Sequence, residues 1–122
     1  MNHNESVEDY LETILIIGEE KPVVRSVDIA NETGFSKPSI SVAVKNMKAK
    51  DYITVSDEGY ITLTDSGRAI AERVYDRHKF FRKWLIDLGV DEETANDDAC
   101  RIEHVITEKT FEAIKNSVKE NK

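Results

Sequence analysis

The sequence holds a single cysteine, so no disulfide can close within the chain. A reducing, cytoplasmic setting fits, and the thiol is left for other chemistry. No apolar run approaches the roughly 18 residues that a bilayer span requires, which excludes a membrane-spanning helix. The start, Met1 to Ser6, lacks a basic cluster followed by an apolar stretch, so no secretory signal is expected. Nothing matches a His-Glu-x-x-His helix, a nucleophile elbow or a glycine-rich phosphate loop, so an enzyme with a small-molecule substrate is not expected. There is no internal repeat and no low-complexity linker. An excess of positive charge is missing too: the formal net charge is −7, which argues against indiscriminate nucleic-acid binding.

What is present is a chain of 122 residues, 39% hydrophobic and 34% charged. That composition suits a helical globular protein of one domain, or of two small units sharing a core. The charge is unevenly placed. Between Arg25 and Lys50 five basic residues (Arg25, Lys37, Lys45, Lys48, Lys50) face two acids, Asp28 and Glu32. Acids are dense from Glu5 to Glu20 and from Asp87 to Asp98. An acidic chain with a local basic window can still bind DNA, with weak nonspecific affinity.

The pattern along the chain is mostly helical. Glu8 to Glu19 carries Tyr10, Leu11, Ile14, Leu15 and Ile17 as an apolar stripe, with Ser6 as N-cap, and Lys21-Pro22 closes it. Val23-Val24 is a short extended link. Ser26 is expected to cap a helix from Val27 to Thr33, ended by Gly34. Ser36-Lys37-Pro38 starts the next helix, with Ser36 as cap and proline in the first turn, running to about Lys50. Helix, a short glycine-containing turn and a second helix beginning Ser-x-Pro-Ser is helix-turn-helix spacing. Tyr52 to Val55 and Tyr60 to Leu63 then read as two short β runs joined by a turn with Gly59, a wing.

Thr64 or Asp65 caps a long helix to about Leu88, stopped by Gly89. Asp91 or Glu92 starts a helix that carries Cys100, Glu103 and His104 and ends near Ile106. Thr107 caps a last helix with Phe111, Ile114 and Val118 on its buried stripe. His3 and the stretch Lys119 to Lys122 are expected in disordered or frayed tails. The fold class expected is therefore mainly α with a small β wing. A winged helix-turn-helix occupies residues 1–64 and a helical part residues 65–122.

Cys100, Glu103 and His104 stand at i, i+3 and i+4, which on a helix puts sulfur, oxygen and nitrogen donors on one face. That is half of a transition-metal site. Cys100 alone would read as a small buried apolar residue, and Glu103 and His104 as a solvated helical pair. Asp9 and Glu12 alone would read as first-turn acids complementing the helix dipole. His78 lies in the basic run Arg77-His78-Lys79.

The chain resembles the metal-dependent repressors of the DtxR/MntR type, which respond to iron or manganese. The resemblance is carried by Glu8 to Ile14, Asp28-Ile29-Ala30, Ser36 to Ser41, Leu63 to Gly67, Arg77-His78 and Ala99 to His104. It implies a winged helix that binds double-stranded operator DNA and a helical C-terminal part that binds metal and dimerises. Some relatives add an SH3-like third domain; the length to Lys122 leaves no room for one, so none is expected. Carried over position by position, the implied metal ligands are Asp9, Glu12, His78, Cys100, Glu103 and His104. His78 is expected to join Glu12 and Glu103 in a second, nearby site like that of the manganese branch. A metal joining the first helix to later ones would fix the DNA-reading heads by population shift.

Two departures shape the expectation. The iron-responsive branch has methionine where this chain has Asp9, and the manganese-responsive branch has glutamate where it has Cys100. Oxygen donors favour Mn²⁺ and thiolate favours Fe²⁺, Co²⁺ or Zn²⁺. The expected cofactor is therefore Mn²⁺ or Fe²⁺, with Co²⁺ or Zn²⁺ able to bind in vitro. The iron branch's ancillary site has glutamate and histidine at the positions of Arg82 and Asn96, so a site of that kind is not expected.

For DNA, the helix starting at Ser36 offers Ser36, Pro38, Ser39 and Ser41 at its N-terminus, where small hydroxyls and the helix dipole suit phosphates and base edges. Arg25, Lys37, Lys45 and Lys48 are expected phosphate contacts. Val42 stands where iron-type relatives have glutamine; it can touch a thymine methyl but cannot hydrogen-bond a base edge. The resulting expectation is a cytoplasmic homodimer, with no membrane partner, that represses metal-uptake genes from a palindromic operator when Mn²⁺ or Fe²⁺ is plentiful. Its dimer surface is expected on the long helix and the last helix, because Phe80, Phe81 and Trp84 cannot all point inward. The alternative is a winged-helix regulator that senses redox state through Cys100.

Overall fold

The computed structural model describes residues 6–120, apart from the side chain of Glu120. The tail expected at His3 and residues 121 and 122 lie outside the described residues. The chain forms six helices and two strands among them: α1 (Val7–Glu20), α2 (Ser26–Thr33), α3 (Lys37–Ala49), β1 (Ile53–Val55), β2 (Ile61–Leu63), α4 (Asp65–Asp87), α5 (Glu92–Ile102) and α6 (Glu108–Glu120). The mainly helical class with a small antiparallel sheet is as the sequence leads one to expect. By its contacts the chain divides into two units, within α4 between Val74 and Tyr75.

The first unit, residues 6–74, is built from local signals. The Ser6 hydroxyl accepts the Asp9 N–H at 3.1 Å and starts α1. Its apolar stripe, Leu11, Ile14 and Leu15, is buried with Ile29 of α2, Ile40 and Met47 of α3, and Ile53 and Ile61 of the strands. α2 begins one residue earlier than the sequence suggests. Ser26 is not its cap; the Asp28 carboxylate reaches back and accepts the Arg25 N–H at 2.9 Å. Gly34 ends α2 at φ 79°, its N–H donating to Ala30 O at 2.8 Å. Ser36 caps α3, accepting the Ser39 N–H at 3.3 Å.

β1 and β2 pair antiparallel with Thr54 opposite Thr62. Tyr52 and Tyr60 fall just outside the strands, because the paired run is three residues long on each side. The Ile61 N–H also donates to Val24 O at 2.7 Å, so the extended link before α2 lies along the wing. Thr64 caps α4, its hydroxyl accepting the Gly67 N–H at 3.1 Å.

The second unit, residues 75–120, packs α4, α5 and α6 around Phe81, Ala99 and Phe111, with Phe80, Trp84, Ile102, Ile106 and Ile114 partly buried against them. Phe81 and Phe111 ring centroids are 5.6 Å apart. Asp91 caps α5, its carboxylate accepting the Thr94 N–H at 3.0 Å, a bond that holds the Asp91 pKa below the usual carboxylate range. Two boundaries differ from expectation. α5 ends at Ile102, so Glu103 and His104 stand on the turn that follows rather than inside a helix. α6 runs through Lys119 to Glu120 instead of fraying at Lys119.

Candidate metal centre and nucleic-acid interface

In the second unit the structure brings four of the expected ligands together. His78 comes from α4, Cys100 from the last turn of α5, and Glu103 and His104 from the turn after it. The Cys100 Sγ lies 3.4 Å from His78 Nδ1. His78 Nδ1 is 3.7 Å from one Glu103 carboxylate oxygen, and His104 Nε2 is 3.3 Å from the other. Glu103 is 4% exposed and Cys100 8%. Although Glu103 and His104 leave the helix, Glu103 keeps right-handed helical angles (φ −58°, ψ −23°) and its N–H bonds Ala99 O at 3.3 Å. The helical course of the backbone is therefore carried one residue past the end of α5, to Glu103.

Taken in pairs these spacings suit donors that share a metal, although no three of the four donor atoms lie within 4.8 Å of one another. Ligand bonds of about 2.0–2.3 Å place adjacent donor atoms roughly 3 to 3.7 Å apart. A thiol, a carboxylate and two imidazoles are a donor set that transition metals accept. A buried carboxylate is costly to take from water, and a cation offsets that cost. Asp9 and Glu12 lie in the first unit, on α1 and three residues apart, and are 6% and 7% exposed. Arg82 donates to the Glu92 carboxylate at 2.5 Å, which is the company of a surface cation rather than of a ligand.

In the first unit α3 presents an exposed face. Lys37, Ser41, Lys45 and Lys48 follow one another at helical spacing along a groove floored by Ala30, Ile40, Val44 and Val55. Ser36, Pro38 and Val42 are exposed and Ser39 is half-buried. Arg25 is exposed at the start of α2; its Nη2 donates to the Tyr60 hydroxyl at 3.2 Å, and its guanidinium carbon lies 4.9 Å from that ring's centroid. Beside it, Lys21 bonds Asp28 at 2.9 Å. That hydrogen bond first, and the Arg25 N–H second, hold the Asp28 pKa below the usual carboxylate range.

Sequence reasoning missed the apolar floor of this groove and missed Tyr60 as Arg25's partner. The signal for the second was the extended Val24 beside the wing, which makes Arg25 and Tyr60 neighbours across a strand edge. At the acidic wing tip, Asp57 and Glu58 are exposed.

Residues 3–60 match the family description "Iron dependent repressor, N-terminal DNA binding domain", and residues 64–122 match "Iron dependent repressor, metal binding and dimerisation domain". The chain belongs to the iron-dependent repressor family. It is a metal-dependent, DNA-binding transcriptional regulator.

An uncharacterised HTH-type transcriptional regulator of Methanocaldococcus jannaschii is 31% identical over 114 residues, covering 92% of this chain and 91% of that one. The HTH-type transcriptional regulator MntR of Bacillus subtilis is 31% identical over 109 residues, covering 89% and 77%. Among solved structures, the metal-dependent transcriptional regulator MtsR superposes with a TM-score of 0.86 at 26% identity, covering 98% of this chain. A manganese-dependent transcriptional repressor in complex with manganese gives 0.83 at 26% identity, covering 93%. This chain spans 55% and 53% of the length of those two solved chains. The segment holding Cys100 thus falls in a metal-binding and dimerisation domain, and the comparisons lend no support to the thiol-redox alternative.

Proposed function

We propose that this regulator is a homodimeric repressor, switched by Mn²⁺ or Fe²⁺, that binds a palindromic operator and silences metal-uptake genes when the metal is abundant. The observation that carries the reading is the buried Glu103 carboxylate, approached by His78 on one oxygen and His104 on the other, with Cys100 beside His78. In this reading His78, Cys100, Glu103 and His104 hold the metal, and the family resemblance adds Asp9 and Glu12 as the remaining donors. The functional division is at residues 64 and 65, between the DNA-reading and metal-binding parts. When bound, the metal supplies positive charge that compensates the buried carboxylates. The chain responds through its donors, which favour whichever conformation lets them meet, and the population shifts toward it.

DNA contact in this reading falls to Arg25, Ser36, Lys37, Pro38, Ser39, Ser41, Val42, Lys45 and Lys48. The exposed basic stripe of α3 and the Ser36 cap support it, since lysines along a groove suit phosphates and an N-terminal hydroxyl suits a phosphate or base edge. A two-fold dimer sets two half-sites about one helical turn apart. For the dimer surface we propose α4 and α6. Leu88 is 66% exposed, and Trp84, Ile114 and Val118 line an apolar groove beside it.

The test is a comparison of wild type with Glu103→Ala/His104→Ala and with Cys100→Ser in metal-dependent binding to DNA upstream of metal-transporter genes. The reading expects the double variant to lose the metal response and Cys100→Ser to shift preference toward Mn²⁺. Intact metal-dependent binding in the double variant would overturn the ligand assignment.

A further inference from the structure

We infer that Arg77 is a positioning residue for the metal centre: it holds the turn that carries Glu103 and His104 and ties that turn to the start of α6. The inference rests on the metal site proposed above and adds a residue that offers no donor atom of its own.

Arg77 is the residue before His78 on α4, yet its side chain is only 11% exposed. Enclosing a guanidinium is costly unless its donors are used. Here Nη1 and Nη2 are directed at two separate segments, while Nε is buried without a hydrogen-bond partner. Nη1 donates to the backbone carbonyl of Glu103 at 3.2 Å. Nη2 pairs with the carboxylate of Glu108, in the first turn of α6. The guanidinium carbon lies 5.0 Å from the centroid of the Phe111 ring, one turn further along α6 and in the core.

The Glu103 carbonyl belongs to the end of α5, where backbone acceptors have no partner within the helix. Arg77 supplies that partner from another helix. Glu103 is also the residue whose carboxylate stands 3.7 Å from His78 and 3.3 Å from His104. Pinning its backbone therefore sets where the carboxylate hangs and where the next residue, His104, begins. A fork-shaped cation suits this task, since it bonds two acceptors in fixed directions, which a lysine cannot reproduce. Residues that orient ligands without touching the metal typically govern affinity by about 10- to 100-fold. The same clamp makes α6, part of the proposed dimer surface, move with the ligand-bearing turn.

The experiment is a Co²⁺ titration of the metal-free full chain, followed by thiolate-to-cobalt charge-transfer absorption, which reports Cys100 on the metal. Wild type is compared with Arg77→Met, Arg77→Lys, Glu108→Gln and Phe111→Leu, and the unfolding temperature of each metal-free variant is measured alongside. We expect Arg77→Met to weaken Co²⁺ binding about 10- to 100-fold and Arg77→Lys to restore part of it. Glu108→Gln is expected to weaken it several-fold, and Phe111→Leu to lower the unfolding temperature while leaving affinity near wild type. An Arg77→Met affinity within twofold of wild type overturns the inference, whatever its unfolding temperature. If that variant does not fold, unchanged affinity in both Glu108→Gln and Arg77→Lys overturns it instead. Failure of the underlying site reads differently: Co²⁺ binding by wild type would then be insensitive to Glu103→Gln and Cys100→Ser.

Discussion

Gly67 sits in the first turn of α4, where helix propensity and packing make opposite demands. By propensity alone, alanine is better than glycine in a helix by up to about 1 kcal/mol, so Gly67→Ala would stabilise the protein. The structure reverses the sign. A Cβ at Gly67 falls 2.0 Å from the carbonyl oxygen of Tyr52 and 2.9 Å from its carbonyl carbon, where ordinary contact begins at 3.4 Å. The neighbour is backbone, so it cannot swing aside as a side chain would. It is also held: the Tyr52 carbonyl accepts the Thr64 N–H at 3.0 Å, and the Asp51 carbonyl accepts the hydroxyls of Thr64 at 2.7 Å and Ser66 at 3.1 Å.

Relieving the clash means parting segment 51–52 from the start of α4 by more than an ångström. Overpacking of this kind costs about 1–3 kcal/mol, and each hydrogen bond lost adds about 1 kcal/mol. After the propensity gain, the net loss is about 2–4 kcal/mol. For a chain of this size that is a fall of roughly 10 °C or more in unfolding temperature. Calorimetry or circular dichroism on the metal-free protein measures it. A Gly67→Ala variant as stable as wild type, or more stable, would refute the reasoning.

Three further outcomes are expected. Phe81→Ala, at a fully buried ring packed on Phe80, Trp84 and Phe111, loses about 3–5 kcal/mol in chemical denaturation, and a loss under 1 kcal/mol would contradict the core assignment. Because the folded Asp28 pKa lies below its unfolded value near ~3.9, its contribution is present above that value and lost as pH falls through the folded pKa. The unfolding-temperature gap between wild type and Asp28→Asn should therefore close in acid, and a gap that stays constant would contradict it. Arg25→Ala should lower the slope of log affinity for operator DNA against log salt by about 1, and Tyr60→Ala should weaken DNA binding in wild type but not in the Arg25→Ala background; independent, additive losses would contradict the pairing.

Much of the fold is legible in the sequence because its boundaries are set by short-range chemistry. Ser6, Ser36, Asp91 and the hydroxyl of Thr107 each accept an N–H three residues on. Gly34 and Gly89 end helices at φ 79° and 103°, conformations that glycine adopts without strain. Where two local rules competed, the sequence misled: at α2 the serine that resembles a cap yields to Asp28, whose longer side chain reaches the Arg25 N–H. The end of α5 also misled, because Glu103, just past the helix, still makes a helical bond to Ala99 O and so carries the helical spacing beyond Ile102.

For the candidate site, the residue types of Cys100, Glu103 and His104 and their spacing are visible in the chain, and the partnership with His78 required the family pattern. The Arg77 clamp was not legible at all. One of its two acceptors is a backbone carbonyl, which every residue has, so no side-chain pattern announces that bond. The closeness of Gly67 to Tyr52 was hidden for a similar reason, since it is an encounter with backbone.

The central claim is that metal at the His78–Cys100–Glu103–His104 cluster switches DNA binding, and a metal titration of DNA affinity tests it most directly. Purified metal-free protein would be titrated with Mn²⁺, Fe²⁺ under anaerobic conditions, Co²⁺ and Zn²⁺ while binding to labelled DNA upstream of metal-transporter genes is followed by fluorescence anisotropy. The account predicts affinity that rises steeply with Mn²⁺ or Fe²⁺ in wild type and stays flat in Glu103→Ala/His104→Ala. Operator binding of equal strength with every metal and with none would contradict it.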